Sequence, residues 1–99
     1  MKKRFIVMLD QGGTSEQNTK FKDYCGDNGL NWWFWLKSSW LLVDKNGIHS
    51  ADAVRNAAKN FFPGNHCLVI EFSDEGDTWS GFGPSKGNRN MFKWIRNNW

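Results

Sequence analysis

The chain has 99 residues, a net charge of +3 and a mean hydropathy of −0.65, which fits one domain, 1–99, with a single core. Its longest apolar runs are far shorter than the ~20 residues of a membrane-spanning helix, so no membrane association is predicted. Residues 1–4 are basic, but the apolar run that follows them is too short for a signal peptide. Cys25 and Cys67 match no metal-binding spacing, so free thiols in a reducing cytoplasm are predicted.

The first predicted elements are a strand and a helix. Residues Arg4–Leu9 are of the β-forming type. A glycine turn follows, and then Thr14 or Ser15 caps a helix, with Gln17 three residues after Thr14 completing a capping box. The glycine-containing stretch 26–29 ends this helix. We therefore expect a first strand followed by a short helix.

A tryptophan-rich hairpin is predicted next, over Asn31–Asp44, which holds four of the chain's seven tryptophans. Strand-forming residues flank a polar centre at 37–39. Alternation places Trp32, Phe34 and Leu36 on one side of the first arm and the intervening tryptophans on the other. Both sides are apolar, whereas a sheet covered by helices on one face usually has polar residues on the other.

The second face of this hairpin must therefore be covered. The candidates are another copy of the chain, a protein partner and the bases of a nucleic acid. Base-stacking surfaces usually interleave basic residues among the aromatics, and the run contains only Lys37. Burial is thus favoured, and Trp33, Trp35 and Trp40 are predicted to form the interface of a homodimer.

Four further elements are predicted in the second half of the chain. Ser50 caps a helix that ends at Pro63, and Cys67–Phe72 has the continuous apolar character of a central strand. A short glycine-rich edge strand over Trp79–Gly83 and a helix over 88–99 complete the chain. The order is β-α-β-β-α-β followed by a short strand and a helix. This order predicts an α+β, ferredoxin-like fold, with both main helices on one face of an antiparallel sheet.

Several segments together resemble a known family. They are the first strand ending in aspartate (Phe5–Asp10), Trp32–Leu41, Ser50–Asp52, Leu68–Glu71, Trp79–Gly81 and Trp94–Asn98. This set resembles the small SinR-like proteins, a branch related to the CRISPR-associated protein two family. The resemblance implies a ferredoxin-like homodimer whose sheets pack against each other. In the CRISPR-associated relatives the first-strand aspartate is the proposed metal ligand of a nuclease, and the dimer is also a DNA-binding adaptor. Asp10 is the residue that carries over by position.

Asp10 is accordingly the candidate catalytic and metal-binding residue, with Mg²⁺ or Mn²⁺ as the cofactor only if the chain is a nuclease; otherwise no cofactor is expected. Two-metal cleavage usually needs several converging carboxylates, and Asp10 has no acidic neighbour in sequence. A dimer would bring two Asp10 side chains together. The alternative is that Asp10 caps the following glycine turn. His49 and His66 are predicted to be surface residues.

The basic residues near both ends are the predicted nucleic-acid contacts: Lys2, Lys3, Arg4, Lys86, Arg89, Lys93 and Arg96. The spacing of the last three places them on one face of a helix. The leading interpretation is a small cytoplasmic homodimeric binding module, associated with DNA or RNA and not catalytic. One alternative is a metal-dependent endonuclease using Asp10 from each subunit. Another is a phage or mobile-element accessory protein that binds a protein or a nucleotide.

Overall fold

The computed structural model describes residues 2–72 and 90–99, which form four strands and three helices. The strands are β1 (Lys3–Leu9), β2 (Leu30–Leu36), β3 (Ser39–Asp44) and β4 (Cys67–Phe72). The helices are α1 (Ser15–Asp27), α2 (Ala51–Phe61) and α3 (Met91–Asn98). The predicted edge strand Trp79–Gly83 lies outside the described residues.

The helices begin at the side chains that the sequence offers as caps. The Thr14 hydroxyl accepts from the Gln17 N–H (3.1 Å), and the Gln17 side chain accepts from the Thr14 N–H (3.0 Å), so the predicted capping box is confirmed. The Ser50 hydroxyl caps α2 by accepting from the Ala53 N–H at 3.1 Å. At the other end of α1, Asn28 is the C-cap, so the helix ends within the predicted stretch 26–29.

The four strands form one antiparallel sheet in the order β2-β3-β1-β4. The prediction of an α+β fold is therefore confirmed. The inner strands are β3 and β1, and Val7 of β1 lies opposite Trp40 of β3 and Val69 of β4. The strand β4, which has the apolar character of a central strand, is at the edge of the sheet among the described residues. The pairing of β2 with β3 has a register shift between Trp33 and Leu36. An extra residue in one strand changes which face the following side chains occupy.

One face of the sheet carries the main core. Alternate residues of β1 and β3 point towards α1 and α2, and the side chains between these layers are fully or almost fully buried. Trp40 is at the centre of this layer: its ring stacks on Phe34 at 4.0 Å and meets Phe21 edge-on at 4.9 Å. Such aromatic pairs add to the stabilisation that burial provides.

The opposite face is partly covered by the chain's own third helix. Trp33 of β2 is 2% exposed and Ile95 of α3 is 8% exposed, and Leu41, Trp94 and Trp99 pack around them. The second face was predicted to need a partner, but α3 supplies part of the cover. Sequence patterns do not reveal this contact because it joins residues about sixty positions apart.

Two of the three residues predicted for a dimer interface are buried within one chain, so their assignment to an interface is wrong. Trp40 has no exposed surface because its register opposite Val7 turns it into the main core. Trp33 is buried beneath α3. Trp35 is 39% exposed, and its place in an interface stays a prediction.

Part of the second face remains apolar and exposed. Leu36 was predicted to share a side with Trp32, but the register shift pairs it with Ser39 on the opposite face. We call Leu36, Leu68 and Ile70 the exposed sheet patch; their exposed fractions are 49%, 56% and 38%. Among the described residues, no helix is both long and apolar enough to cross a membrane.

Candidate functional site

Asp10 stands at the end of β1 and is held by His66, which precedes β4. Its Oδ1 accepts from the His66 main-chain N–H at 3.2 Å, and its Oδ2 lies 3.1 Å from His66 Nδ1. The Asp10 N–H donates to the His66 carbonyl at 3.2 Å, which extends the β1–β4 pairing by one residue. The His66 side chain is 97% exposed, so its prediction as a surface residue is confirmed.

Three segments of the chain meet around Asp10. The Leu9 N–H donates to the carbonyl of Ser38 in the hairpin turn at 2.8 Å. On the other side, the Gln11 N–H donates to Asn65 Oδ1 at 2.9 Å. The Gly12 backbone approaches the hairpin so closely that a Cβ there would lie 2.8 Å from the Lys37 carbonyl oxygen. A shallow depression results, lined by Asp10, Gln11, Gly12, Lys37 and Ser38.

This arrangement can orient an imidazole, but it does not fit a metal centre within one chain. If the His66 ring is neutral and donates from Nδ1 to Asp10, its Nε2 presents a lone pair to solvent. Both Asp10 oxygens already accept from His66, whereas a Mg²⁺-type ion needs several oxygen ligands. Within residues 2–72 and 90–99, no group of three or more His, Cys, Asp or Glu residues is placed to hold a metal. The alternative prediction was that Asp10 caps the following glycine turn. It is wrong, because the Asp10 carboxylate binds His66 and not the turn.

Asp44 is a second His-bound carboxylate, and sequence reasoning missed it. It ends β3 and is 2% exposed. Oδ1 accepts from the Gly47 N–H at 3.0 Å, while Oδ2 accepts from the His49 N–H at 2.7 Å and lies 2.9 Å from His49 Nδ1. The prediction that His49 is a surface residue is wrong, because its side chain is only 12% exposed. The turn sequence Asp44–Gly47 was the available signal, as aspartate commonly binds main-chain N–H groups in turns.

The electrostatics of Asp44 follow from these contacts. Burial by itself would raise the pKa of the Asp44 carboxyl, but hydrogen bonds from His49 and Gly47 and the charge of His49 outweigh it and lower the pKa. Asp44 thus holds the 45–49 loop in place, immediately before the cap of α2. Because it is buried and both its oxygens bind this loop, Asp44 has a structural role.

The predicted nucleic-acid contacts at the start of the chain are largely occupied by other partners. Lys2 Nζ and Arg4 Nε donate to the main-chain oxygen of Trp99 at 2.9 and 2.7 Å. Arg4 is only 6% exposed, and its guanidinium lies 5.7 Å from the centre of the Trp99 ring. Arg4 is therefore not available to phosphate in this structure. Lys3 donates to the His49 carbonyl at 2.9 Å and approaches Glu71 at 3.9 Å.

The basic residues of α3 have a different environment. Lys93 and Arg96 are exposed, three residues apart, while Ile95 between them is buried against the sheet. Positions three apart share a helix face. Both cations therefore point away from the sheet. Lys86 and Arg89 lie outside the described residues.

Neither the protein-family models nor the curated proteins with which the chain was compared match it.

Proposed function

We propose that the chain is a small ferredoxin-like binding module that forms a homodimer and associates with nucleic acid without cleaving it. The ferredoxin-like assignment is supported by the β-α-β-β-α-β order up to Phe72 and by the central position of β1 between β3 and β4. Two free cysteines support a reducing, cytoplasmic location. Burial raises the pKa of the Cys25 thiol to about 12, so this thiol is a core group and not a nucleophile.

The observation that carries nucleic-acid binding is the exposed Lys93 and Arg96 pair on the outer side of α3. A helix docked through Trp94 and Ile95 presents these two cations to solvent in a fixed relation. Lys and Arg contacts to phosphates set affinity and do not read the base sequence. We therefore expect binding that is weak, sensitive to salt and indifferent to sequence.

A homodimer is supported by the exposed sheet patch. Leu36 lies opposite Ser39, Leu68 lies opposite Met8, and Ile70 lies opposite Ile6, and none of these side chains is charged. A second copy placed on the patch by a two-fold axis would bring apolar surface against itself with no like charges in contact. An uncharged patch does not favour phosphate, so the second copy is the occupant that its chemistry fits.

Titration of labelled DNA and RNA at two salt concentrations, with Mg²⁺ or Mn²⁺ present, tests the nucleic-acid proposal. The affinity should fall as salt rises, with a slope of about −0.9 per phosphate contacted on duplex DNA. Lys93→Glu combined with Arg96→Glu should weaken binding to all sequences alike. Lys45→Glu combined with Lys59→Glu is the matched control, because it makes the same change in net charge at exposed sites outside α3.

Three results would contradict the proposal or part of it. If nothing binds at low salt, the partner is not a nucleic acid. If the metal-containing samples show cleavage that disappears in Asp10→Ala, the chain is a nuclease and not a passive binding module. Equal weakening by both double variants would show a general charge effect without a site on α3.

A further inference from the structure

A lysine of the first helix lies over two aromatic rings of the edge strand β2. Trp32 and Phe34 are on the side of β2 that packs against the main core, and each keeps part of its surface exposed. The Lys22 ammonium lies 5.0 Å from the centre of the Trp32 ring and 5.8 Å from the centre of the Phe34 ring. The packing of α1 on β2 therefore places a cation over a pair of partly exposed rings.

Lys22 has no anionic partner of its own. Its neighbour on the same helix, Lys20, pairs with Glu16 at 3.0 Å. Within residues 2–72 and 90–99, by contrast, no oxygen atom lies within hydrogen-bonding or ion-pair distance of the Lys22 ammonium, and its contacts are the two rings. Contacts of a cation with a ring at a partly exposed site are weaker than charge-assisted hydrogen bonds. A phosphate oxygen would therefore be a better partner for Lys22 than the rings are.

The buried ring of Trp40 holds both aromatic side chains in place. Phe34 stacks on Trp40 with 4.0 Å between ring centres, and Trp32 meets it at a steep angle with 6.1 Å between ring centres. Trp40 itself is fully buried in the main core. Trp32 and Phe34 are thus ordered before any ligand binds, which lowers the entropic cost of binding to them.

We propose that Trp32, Phe34 and Lys22 form a stacking site for the bases of a single-stranded nucleic acid. A base stacks on the exposed aromatic surface, and the Lys22 ammonium moves from the rings to a phosphate oxygen of the same strand. Aromatic rings beside a cation are the combination that single-strand binding surfaces use. The bases of a duplex are already stacked on one another, so the site favours single strands. This inference rests on the proposed association with nucleic acid and specifies the form of nucleic acid that is preferred.

The cation of this site is absent from the tryptophan-rich sequence run itself. That run contains only Lys37, which favoured burial over base stacking. Lys22 belongs to α1 and reaches the rings through tertiary packing. The site is also separate from the cations of α3, because α3 packs against Trp33 on the opposite face of the sheet. The two sites can therefore be changed independently.

A pair of labelled oligonucleotides isolates the contribution of the bases. One is an oligothymidylate, and the other is an abasic strand with the same number of phosphates. The unchanged chain should bind the oligothymidylate about tenfold more tightly, as expected from one stacked base. Trp32→Leu should remove this difference and leave the affinity for the abasic strand and for duplex DNA unchanged. Trp32→Phe keeps a ring at the site and should keep most of the difference.

A second pair of variants guards against loss of folding. If circular dichroism shows that Trp32→Leu disturbs the fold, Phe34→Leu tests the same site with a smaller change. Phe61→Leu is its matched control, because Phe61 is also partly exposed and packs against the same core, while no described lysine or arginine lies over its ring. Phe34→Leu should reduce the preference for the oligothymidylate, and Phe61→Leu should not.

Lys22→Gln tests the role of the cation. On the oligothymidylate, the salt slope should become shallower by about 0.7, the value for one phosphate contact on a single strand. On duplex DNA the slope should stay the same. Lys20→Gln is the matched control, since it removes an exposed cation of the same helix that already pairs with Glu16. An unchanged slope in Lys22→Gln would show that Lys22 does not bind phosphate and would overturn its role in the site.

The inference and the proposed function fail in different ways. If the unchanged chain binds the oligothymidylate and the abasic strand equally well, the stacking site is wrong and the binding proposal stands. If Trp32→Leu removes the preference but Lys93→Glu combined with Arg96→Glu has no effect, the stacking site stands and the site on α3 is wrong. If thymidine monophosphate binds as tightly as the oligothymidylate, the site takes free nucleotides and the single-strand inference is wrong. If no oligonucleotide binds, both proposals are wrong.

Discussion

Asp10 and Asp44 show how the same residue type takes different roles according to burial. Each ends a strand and each binds both the main-chain N–H and the ring Nδ1 of a histidine. The side chain of Asp10 is 47% exposed and that of Asp44 is 2% exposed. Water can replace the partners of Asp10 when they are lost, but it does not reach Asp44. Substitutions at the two sites should therefore differ strongly in their cost.

Asp10→Ala should leave the fold intact. Loss of the hydrogen bonds to His66 at a half-exposed site should lower the free energy of unfolding by only ~1 kcal/mol. Chemical denaturation followed by circular dichroism measures this change, with Asp52→Ala as a control at an exposed helix position. A grossly unfolded Asp10→Ala protein would show that the Asp10–His66 contact is required for folding.

Asp44→Asn should be more costly and should change the response to acid. Because folding lowers the pKa of Asp44, its stabilising effect is present above the unfolded value of about 3.9 and is lost as the pH falls towards the folded value. At neutral pH the variant should lose ~1–3 kcal/mol of unfolding free energy. Between about pH 5 and pH 2 its stability should fall less than that of the unchanged chain. Denaturant titrations across this range measure both effects, and Asp52→Asn should reproduce neither.

At the scale of the elements, two glycines with different surroundings allow a matched comparison. A Cβ on Gly13 would lie 2.5 Å from the buried Phe62 ring and 2.8 Å from Asn18 Oδ1. A Cβ on Gly26, inside α1, would have no atom within 4 Å apart from its chain neighbours and the backbone of its own helix. The turn before α1 therefore needs glycine for space, whereas the end of α1 does not.

Gly13→Ala and Gly26→Ala should change stability in opposite directions. Gly13→Ala forces the Phe62 ring or the turn to shift, and overpacking of this kind usually costs ~1–3 kcal/mol. Gly26→Ala adds a better helix former in open space and should raise the free energy of unfolding by ~0.5–1 kcal/mol. Thermal or denaturant unfolding of both variants measures the difference. A stabilised Gly13→Ala protein would contradict the close packing of this turn.

The sequence predicts the elements because their signals are local. The capping box at Thr14, the cap at Ser50 and the apolar strand Cys67–Phe72 each depend on residues within a few positions. The contacts that decide the surface are long-range. Lys2 and Trp99 are 97 positions apart and Asp10 and His66 are 56 apart, so no periodicity reveals them.

The face of a strand is also hard to predict where the pairing shifts. Simple alternation places Leu36 with Trp32, but the register shift in β2 turns Leu36 to the other face. Trp40 was assigned to an interface for a related reason, since its side is set by pairing with Val7 and not by its own sequence neighbours. The alternation correctly places Trp32 and Phe34 on one face and Trp33 on the other, and it fails at Leu36, which follows the register shift.

At the scale of the whole molecule, the two faces of the sheet are covered to different extents. Two helices of 13 and 11 residues pack on one face, whereas α3, with eight residues, covers part of the other. A helix of this length spans only ~12 Å. The exposed sheet patch, Leu36, Leu68 and Ile70, lies on the part that α3 leaves open. Leu68 and Ile70 are neighbours on β4, and Leu36 lies on the same face of the sheet across Ser39 and Met8. Exposed apolar surface of this kind usually marks an interaction surface.

Leu68→Glu should therefore convert a homodimer into a monomer. Leu68 is 56% exposed on β4, next to Met8. A carboxylate there would be buried against apolar surface of the second copy, and a two-fold axis would bring it towards the same carboxylate of that copy. Sedimentation at micromolar concentration should give a mass near twice 11.5 kDa for the unchanged chain and near 11.5 kDa for the variant. Ile48→Glu is the control, because Ile48 is 75% exposed but lies in the loop before α2, away from the sheet face. If the unchanged chain is a monomer, the patch does not bind a second copy. If the dimer survives Leu68→Glu, the interface lies elsewhere, and Trp35 is the next residue to change.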